Sequence, residues 1–144
     1  MKKEKTCKIV FSDIDGTLLT SDGQITEGTK EMILNLEKEG IPFILTSARS
    51  PEGVRVIKRM LGNHAPIIAF CGGLILDNDG NEIYSKMIPL KRALELKAML
   101  DKDFPAVACN TFGGEKWIVD DREDWREQRE EKIVGFPAEI GSIK

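Results

Sequence analysis

Three short apolar runs, at residues 7–12, 42–46 and 67–70, each stop at small or polar residues and are separated by stretches with helical spacing. That alternation constrains the chain more than any other feature. It predicts strand, helix, strand, helix, strand, an order that closes as a parallel sheet with right-handed crossovers. The first run, Cys7-Lys8-Ile9-Val10-Phe11-Ser12, reads as a buried strand ended by Asp13-Ile14-Asp15-Gly16-Thr17. Thr26 then suits a helix N-cap, Met32, Ile33 and Leu36 supply an inward face, and Gly40 suits the left-handed residue after the helix. After the second strand, Ser50-Pro51-Glu52 reads as an N-cap, a first-turn proline and a favourable acid. Val54, Ile57 and Leu61 form the buried stripe of that helix and Gly62 ends it.

Beyond Gly72 and Gly73 the pattern changes. Leu74–Asp77 and Glu82–Tyr84 flank Asn78-Asp79-Gly80-Asn81, a hairpin signal. Pro89 opens an expected helix with Leu90, Ala93, Leu96 and Leu100 inward, followed by strand-like Ala106–Cys109 and Lys116–Val119. The charged stretch from Asp120 to Lys132 reads as a solvated helix or loop, and this later part as a separate α+β unit.

Composition narrows the function. With 21 basic against 24 acidic residues and a net charge of -3, the chain has no charge excess suited to nucleic acid or a membrane surface. Cys7, Cys71 and Cys109 make neither a disulfide framework nor a zinc spacing. The apolar run behind the basic N-terminus is too short for a signal peptide or membrane span, so the expected location is the cytoplasm.

Ligands of open parallel sheets bind beyond the carboxyl ends of the strands. Three strand ends bring Asp13 and Asp15, then Thr46 and Arg49, then Cys71, Gly72 and Gly73 to that edge. Two residues apart in extended backbone, Asp13 and Asp15 point the same way while Ile14 points into the protein. Paired carboxylates repel unless a cation joins them, which suits Mg²⁺. One can attack phosphorus and the other serve as acid and base, so Asp13 is the candidate nucleophile and Asp15 the candidate acid/base. Gly16 permits a turn whose N–H groups approach phosphate, Thr46 offers a hydroxyl donor and Arg49 a charged fork. Taken alone, Asp-x-Asp-Gly serves equally as an Asx turn or a calcium-type loop. Elsewhere the plain readings are preferred: His64 on the surface, Arg55, Lys58 and Arg59 on a solvated helix face, Cys71 a small buried residue, and Trp117 and Trp125 in packing roles.

Val10-Phe11-Ser12-Asp13-Ile14-Asp15-Gly16-Thr17-Leu18-Leu19 resembles the first motif of haloacid dehalogenase superfamily phosphatases, and Leu45-Thr46-Ser47-Ala48-Arg49 resembles the second. Phe70-Cys71-Gly72-Gly73-Leu74-Ile75-Leu76-Asp77 resembles the Asn-Gly segment of the Cof-type branch, which inserts an α/β cap after its third core strand. The resemblance implies an α/β fold in which residues 1–84 are the first part of a Rossmann-like hydrolase core and 85–144 a partial cap. It implies Mg²⁺ held by Asp13 and the backbone carbonyl of Asp15. Thr46 would hold phosphate, with Gly16, Ser47, Arg49, Gly72 and Gly73 completing the phosphate- and substrate-binding set. The implied substrate is a small phosphorylated metabolite such as a sugar phosphate, hydrolysed through an aspartyl-phosphate.

Three departures accompany it. Cys71 stands where the family has Asn, and Ser47-Ala48-Arg49 where Thr-Gly-Arg is commoner. The lysine and Gly-Asp-x-x-x-Asp motifs that continue the family pattern do not occur; Asp120-Asp121 lacks the glycine turn, and neither Lys132 nor Lys144 has the lysine context. Two carboxylates alone imply weak Mg²⁺ binding. A sheet of three parallel strands would leave an edge and a face open, so either a homo-oligomer or a longer product of which this chain is a fragment is expected to cover them. The alternative to an enzyme is a catalytically incomplete phosphate- or metal-binding chain that associates with another.

Overall fold

The computed structural model describes residues 7–143. The chain divides into two compact units between Ser85 and Lys86. In the first, β1 (Val10–Asp13), α1 (Glu27–Lys38), β2 (Phe43–Thr46), α2 (Pro51–Leu61) and β3 (Ile67–Ala69) follow the expected alternation, and β1, β2 and β3 are parallel neighbours. The hairpin of β4 (Leu74–Leu76) and β5 (Glu82–Ser85) adds to the same sheet, β4 running antiparallel to β3. This corrects the expectation of a three-stranded sheet. Five strands in the order β1-β2-β3-β4-β5 leave β1 at one edge.

The helices form where the local chemistry allows. Thr26 Oγ1 accepts from the Thr29 N–H at 3.2 Å, and Ser50 Oγ from the Gly53 N–H at 3.4 Å, so each helix has a donor satisfied at its start. Gly62, at φ 79°, closes α2 with a left-handed cap. Val54, Ile57 and Leu61 recur on one side of α2 and are buried against Phe43, Leu45 and Ile67 of the sheet. On α1 Ile33 is buried and Leu36 partly so, whereas Met32 is exposed, because it lies beside that stripe rather than in it.

Burial differs along the sheet. Phe43, Ile44 and Leu45 of β2 are all buried, as a parallel strand covered on both faces requires. Strand β1 is only half covered: Val10 is partly buried, while Phe11 is 57% exposed. The reading of residues 7–12 as a buried strand is therefore corrected, and Cys7, Lys8 and Ile9 precede the strand.

The second unit contains α3 (Leu90–Asp103), β6 (Thr111–Gly113), β7 (Lys116–Val119), α4 (Trp125–Val134) and β8 (Glu139–Ile140). Strand β7 pairs antiparallel with β6 and parallel with β8. Its core is Trp117, Val119, Val134 and Ala138 with Phe136 packed against them; Phe136 meets Trp117 edge-on at 5.4 Å and Phe112 stacks on it at 5.8 Å.

Several expectations change here. Ala106–Cys109 is irregular, and Trp125, 68% exposed, is not a packing residue. Helix α3 has no buried residue; Leu90 and Leu96 are 59% and 46% exposed, and Ala93 and Leu100 only partly covered. Leu90, Ala93, Leu94, Leu96 and Leu100 fall within about half of its circumference, but the described residues leave that face largely uncovered. Among the described residues no helix is long and apolar enough to cross a membrane.

Candidate active site

The site is built at the carboxyl ends of β1 and β2. Asp13 is the last residue of β1 and is the register partner of Thr46, the last residue of β2. Register partners in neighbouring strands leave the sheet on the same face, so a carboxylate and a hydroxyl stand side by side. After Asp13 the chain makes a wide turn at Ile14–Leu18, in which Ile14 is fully buried and anchors the loop to the core. Asp15 keeps extended backbone (φ -79°, ψ 124°) and Gly16 turns at φ 74°, a conformation that strains a residue with a side chain. Asp13, Asp15 and Gly16 are exposed while Ile14 is hidden, the alternation expected of this segment.

Arg49 does not stand free as a phosphate fork. Its Nε and Nη2 donate to the two oxygens of Asp15, at 2.9 and 2.7 Å. The Arg49 side chain is largely covered, at 9% exposure, while the Asp15 side chain is 56% exposed. A bidentate pair of this kind fixes both planes and fixes the Asp15 rotamer. The Asp13 carboxylate has no hydrogen-bond or ion-pair partner among the described residues, and Ser12 Oγ donates to the Asp13 carbonyl at 2.8 Å.

The loops beyond β2 and β3 are tied together. Ser47 is buried, its N–H donates to the Ile68 carbonyl at 3.0 Å, and its Oγ accepts from the Arg49 N–H at 3.2 Å. The Phe70 N–H donates to the Arg49 carbonyl at 3.0 Å and the Cys71 N–H to the Ser47 carbonyl at 2.9 Å. The Ser47 side chain thus braces the backbone that presents Arg49. The sequence named Ser47 only through its motif position; its bracing role follows from loop contacts that no spacing reveals.

Phe70 and Cys71 take φ 50° and 53°, left-handed values that side chains disfavour, and Gly72 follows at φ 92°. Gly73, at φ -69°, needs no such freedom. Cys71 is exposed, which corrects the expectation of a small buried residue. The segment leaves the strand in a left-handed coil that turns the Cys71 side chain outward. His64 is exposed as expected. The solvated-face reading of the basic residues holds for Arg59, whereas Lys58 is half-buried and its Nζ donates to Asn78 at 2.8 Å.

The family model for haloacid dehalogenase-like hydrolases matches residues 10–140. This chain belongs to that family. It is 36% identical over 124 residues to a Haemophilus influenzae protein named "Putative phosphatase", covering 80% of this chain and 47% of that one. It is 27% identical over 96 residues to the Bacillus subtilis phosphatase YwpJ, covering 67% of this chain and 34% of that one. A haloacid dehalogenase-like hydrolase from Bacteroides thetaiotaomicron has the same fold, with a TM-score of 0.85 at 20% identity over 95% of this chain and 52% of that chain. The chain therefore spans about half the length of the family members it matches.

The donor set can be tested against Mg²⁺. Among the described residues no cluster of three or more His, Cys, Asp or Glu is arranged to hold a metal. Both side-chain oxygens of Asp15 accept from Arg49, which leaves the Asp13 carboxylate and the Asp15 carbonyl as oxygen donors. Mg²⁺ keeps several waters and is bound through one or two carboxylates plus substrate phosphate, so this set fits as a partial site.

Proposed function

We propose that this haloacid dehalogenase-like chain carries the nucleophile-bearing part of a Mg²⁺-dependent phosphomonoester hydrolase for a small phosphorylated metabolite such as a sugar phosphate. The observation that carries the reading is the pairing of Asp13 with Thr46 at adjacent strand ends. An Asp13 oxygen attacks phosphorus as the ester oxygen departs, giving an aspartyl-phosphate, and water then hydrolyses it to regenerate the carboxylate. The Thr46 hydroxyl donates to a phosphate oxygen, and the backbone at Gly16 approaches the same group because no side chain stands in the way. Ser47, Gly72 and Gly73 belong to the loops that border the substrate.

Asp15 is the group suited to protonate the leaving oxygen and later to take a proton from water. Since both of its oxygens accept from Arg49, this role requires at least one of those contacts to open. Arg49 then regains the freedom to donate to phosphate. When bound, Mg²⁺ supplies positive charge opposite the phosphate oxygens, and the Asp13 carboxylate and Asp15 carbonyl are the groups that would hold it. The same reading keeps the chain in the cytoplasm, in keeping with three free thiols. It also includes association with a second copy along the open edge of β1, where Phe11 is exposed.

The test is phosphate release from p-nitrophenyl phosphate and a panel of sugar phosphates, with Mg²⁺ or EDTA. Asp13→Asn should lower Mg²⁺-dependent turnover by about three orders of magnitude or more, the scale on which enzymes lose rate with their nucleophile. No turnover from well-folded wild-type chain would remove the claim of activity for this chain alone and leave a phosphate- or metal-binding chain that acts with another.

A further inference from the structure

Glu127 is a carboxyl that the second unit buries without a cation. It is 2% exposed, in the first turn of α4, and among the described residues no ion pair reaches it. Its neighbour Arg126 spends Nε and Nη2 on Asp124 and Nη1 on the Ala106 carbonyl. Glu127 is held instead through one amide. Trp117 Nε1 donates to Asn110 Oδ1 at 2.5 Å, and Asn110 Nδ2 donates to Glu127 Oε1 at 3.1 Å. An indole N–H can only donate, so Asn110 must turn its oxygen to Trp117 and its amino group to Glu127. Asn110 precedes β6, Trp117 lies in β7 and Glu127 in α4, so this relay ties three parts of the unit together.

The orientation of Asn110 fixes where a proton can sit. Glu127 Oε1 is held as an acceptor, which leaves Oε2, and Oε2 is buried with no hydrogen-bond partner. A glutamate three residues after an N-cap often reaches back to the N-cap N–H. Here the Asp124 N–H goes to the Asp121 carbonyl at 3.4 Å instead. A negative charge on Oε2 would lose its water and gain no donor, whereas a hydroxyl there is uncharged and its proton needs no cavity. The surroundings are mostly of one sign. Asp124 and Glu130 stand on the same helix, and Asp101 of α3, Cys109 before β6, and Asp120 and Asp121 after β7 line a cavity together with Glu127. Lys97 is shared between Asp101 and Asp120. Arg126, the Asn110 bond and the first-turn N–H groups of α4 favour the ion. Burial outweighs them and pushes the carboxyl above its ordinary 4.5.

We propose that Glu127, Asn110 and Trp117 form a proton-held latch: the folded unit keeps the Glu127 carboxyl neutral with its proton on Oε2, and loss of that proton loosens the hold of α4 on the segment before β6. The ionised carboxylate regains water only if the first turn of α4 moves away from its neighbours. Asn110 then loses its acceptor, and the change passes to the Trp117 indole through the other end of the same amide. A carboxyl raised by folding contributes stability that is fully present below 4.5 and is lost as pH rises through its folded value. The latch owes nothing to the phosphatase reading and is tested without it.

The experiment is an NMR pH titration of the whole chain that follows the Glu127 carboxyl carbon and the Trp117 indole N–H. Glu127→Gln assigns the first, and Trp125→Phe, a change at an exposed side chain, assigns the second by elimination. The carboxyl should titrate above 4.5, and the indole should move with the same midpoint. Glu127→Gln, which stays neutral at every pH, should abolish the indole titration and remove the fall in thermal midpoint that the wild type shows as pH rises from 4.5 to neutrality. If that variant does not fold, the wild-type titration decides alone. The proposal is overturned by a carboxyl midpoint at or below 4.5, by an indole that does not follow the carboxyl, or by an unchanged indole titration in folded Glu127→Gln.

Discussion

The two units of this chain solve the problem of a small core to different degrees. The first gathers 12 buried apolar residues from its strands, its helices and the loop after β1 into one cluster. The second gathers four, all from β7, α4 and the segment after α4. Apolar content is not the difference, because α3 carries as many large apolar side chains as α2. Cover is. Val54, Ile57 and Leu61 of α2 are buried, whereas Leu90, Leu94, Leu96 and Met99 of α3 are 36–59% exposed. A helix contributes to a core through the stripe it can turn inward, and α3 has none that the described residues cover.

The strongest test of this contrast is a matched pair of truncations. Leu61→Ala, at a fully buried position of α2, should destabilise the first unit by about 2–5 kcal/mol, the cost of a cavity in a close-packed core. Leu96→Ala, on the exposed part of α3, should change stability by no more than about 0.5 kcal/mol. Urea unfolding followed by circular dichroism measures both. Equal losses would mean that α3 is packed in solution and would break the comparison.

A smaller effect sharpens it. Ser50 is buried, and its hydroxyl satisfies the Gly53 N–H at the start of α2. Ser50→Ala should cost about 1 kcal/mol, as N-cap removals do. Because α2 packs on the sheet behind the site, the loss should appear in the same transition as Leu61→Ala. A loss visible only in tryptophan fluorescence would contradict this, since Trp117 and Trp125 both lie in the second unit.

The same contrast explains what could be read from the residues alone. The first unit was legible because period, cap and breaker agree at each step: Thr26 before α1, Ser50-Pro51 before α2, and glycines after both helices. The convergence of Asp13 and Thr46 followed from strand order. What stayed hidden depends on distant partners. No pattern within one segment announces that the guanidinium of Arg49 meets the Asp15 carboxylate 34 residues away, or that Ser47 braces the loop between them. In the second unit Ala106–Cys109 had a strand-like composition, but its backbone is not drawn into the sheet, and β6 starts later at Thr111. The two-residue strand β8 is too short for any periodicity to mark it.

The smallest expected effect concerns how the second unit uses charge where the first uses apolar contact. Hydrogen bonds from the Arg126 side chain hold the Asp124 carboxyl down to about 2, from an ordinary 3.8. A carboxyl depressed by folding contributes stability that is present above its ordinary value and is lost as pH falls through the depressed one. At the other end, Asp101 and Asp120 raise Lys97 to about 12 from 10.5, so its contribution is present below 10.5 and is lost as pH rises through about 12. Both groups are near the surface, so each effect should be modest and reduced by salt. Thermal unfolding read through tryptophan fluorescence isolates the unit concerned. Between pH 3.8 and about 2 the wild-type midpoint should fall more steeply than that of Arg126→Met. The variant also loses the Arg126 bond to the Ala106 carbonyl, and that loss does not vary with pH. A uniform drop across the range therefore carries no information about the pair, and only the difference in slope does. Equal slopes would mean that Asp124 caps α4 through the Arg126 N–H at 2.8 Å without help from the guanidinium.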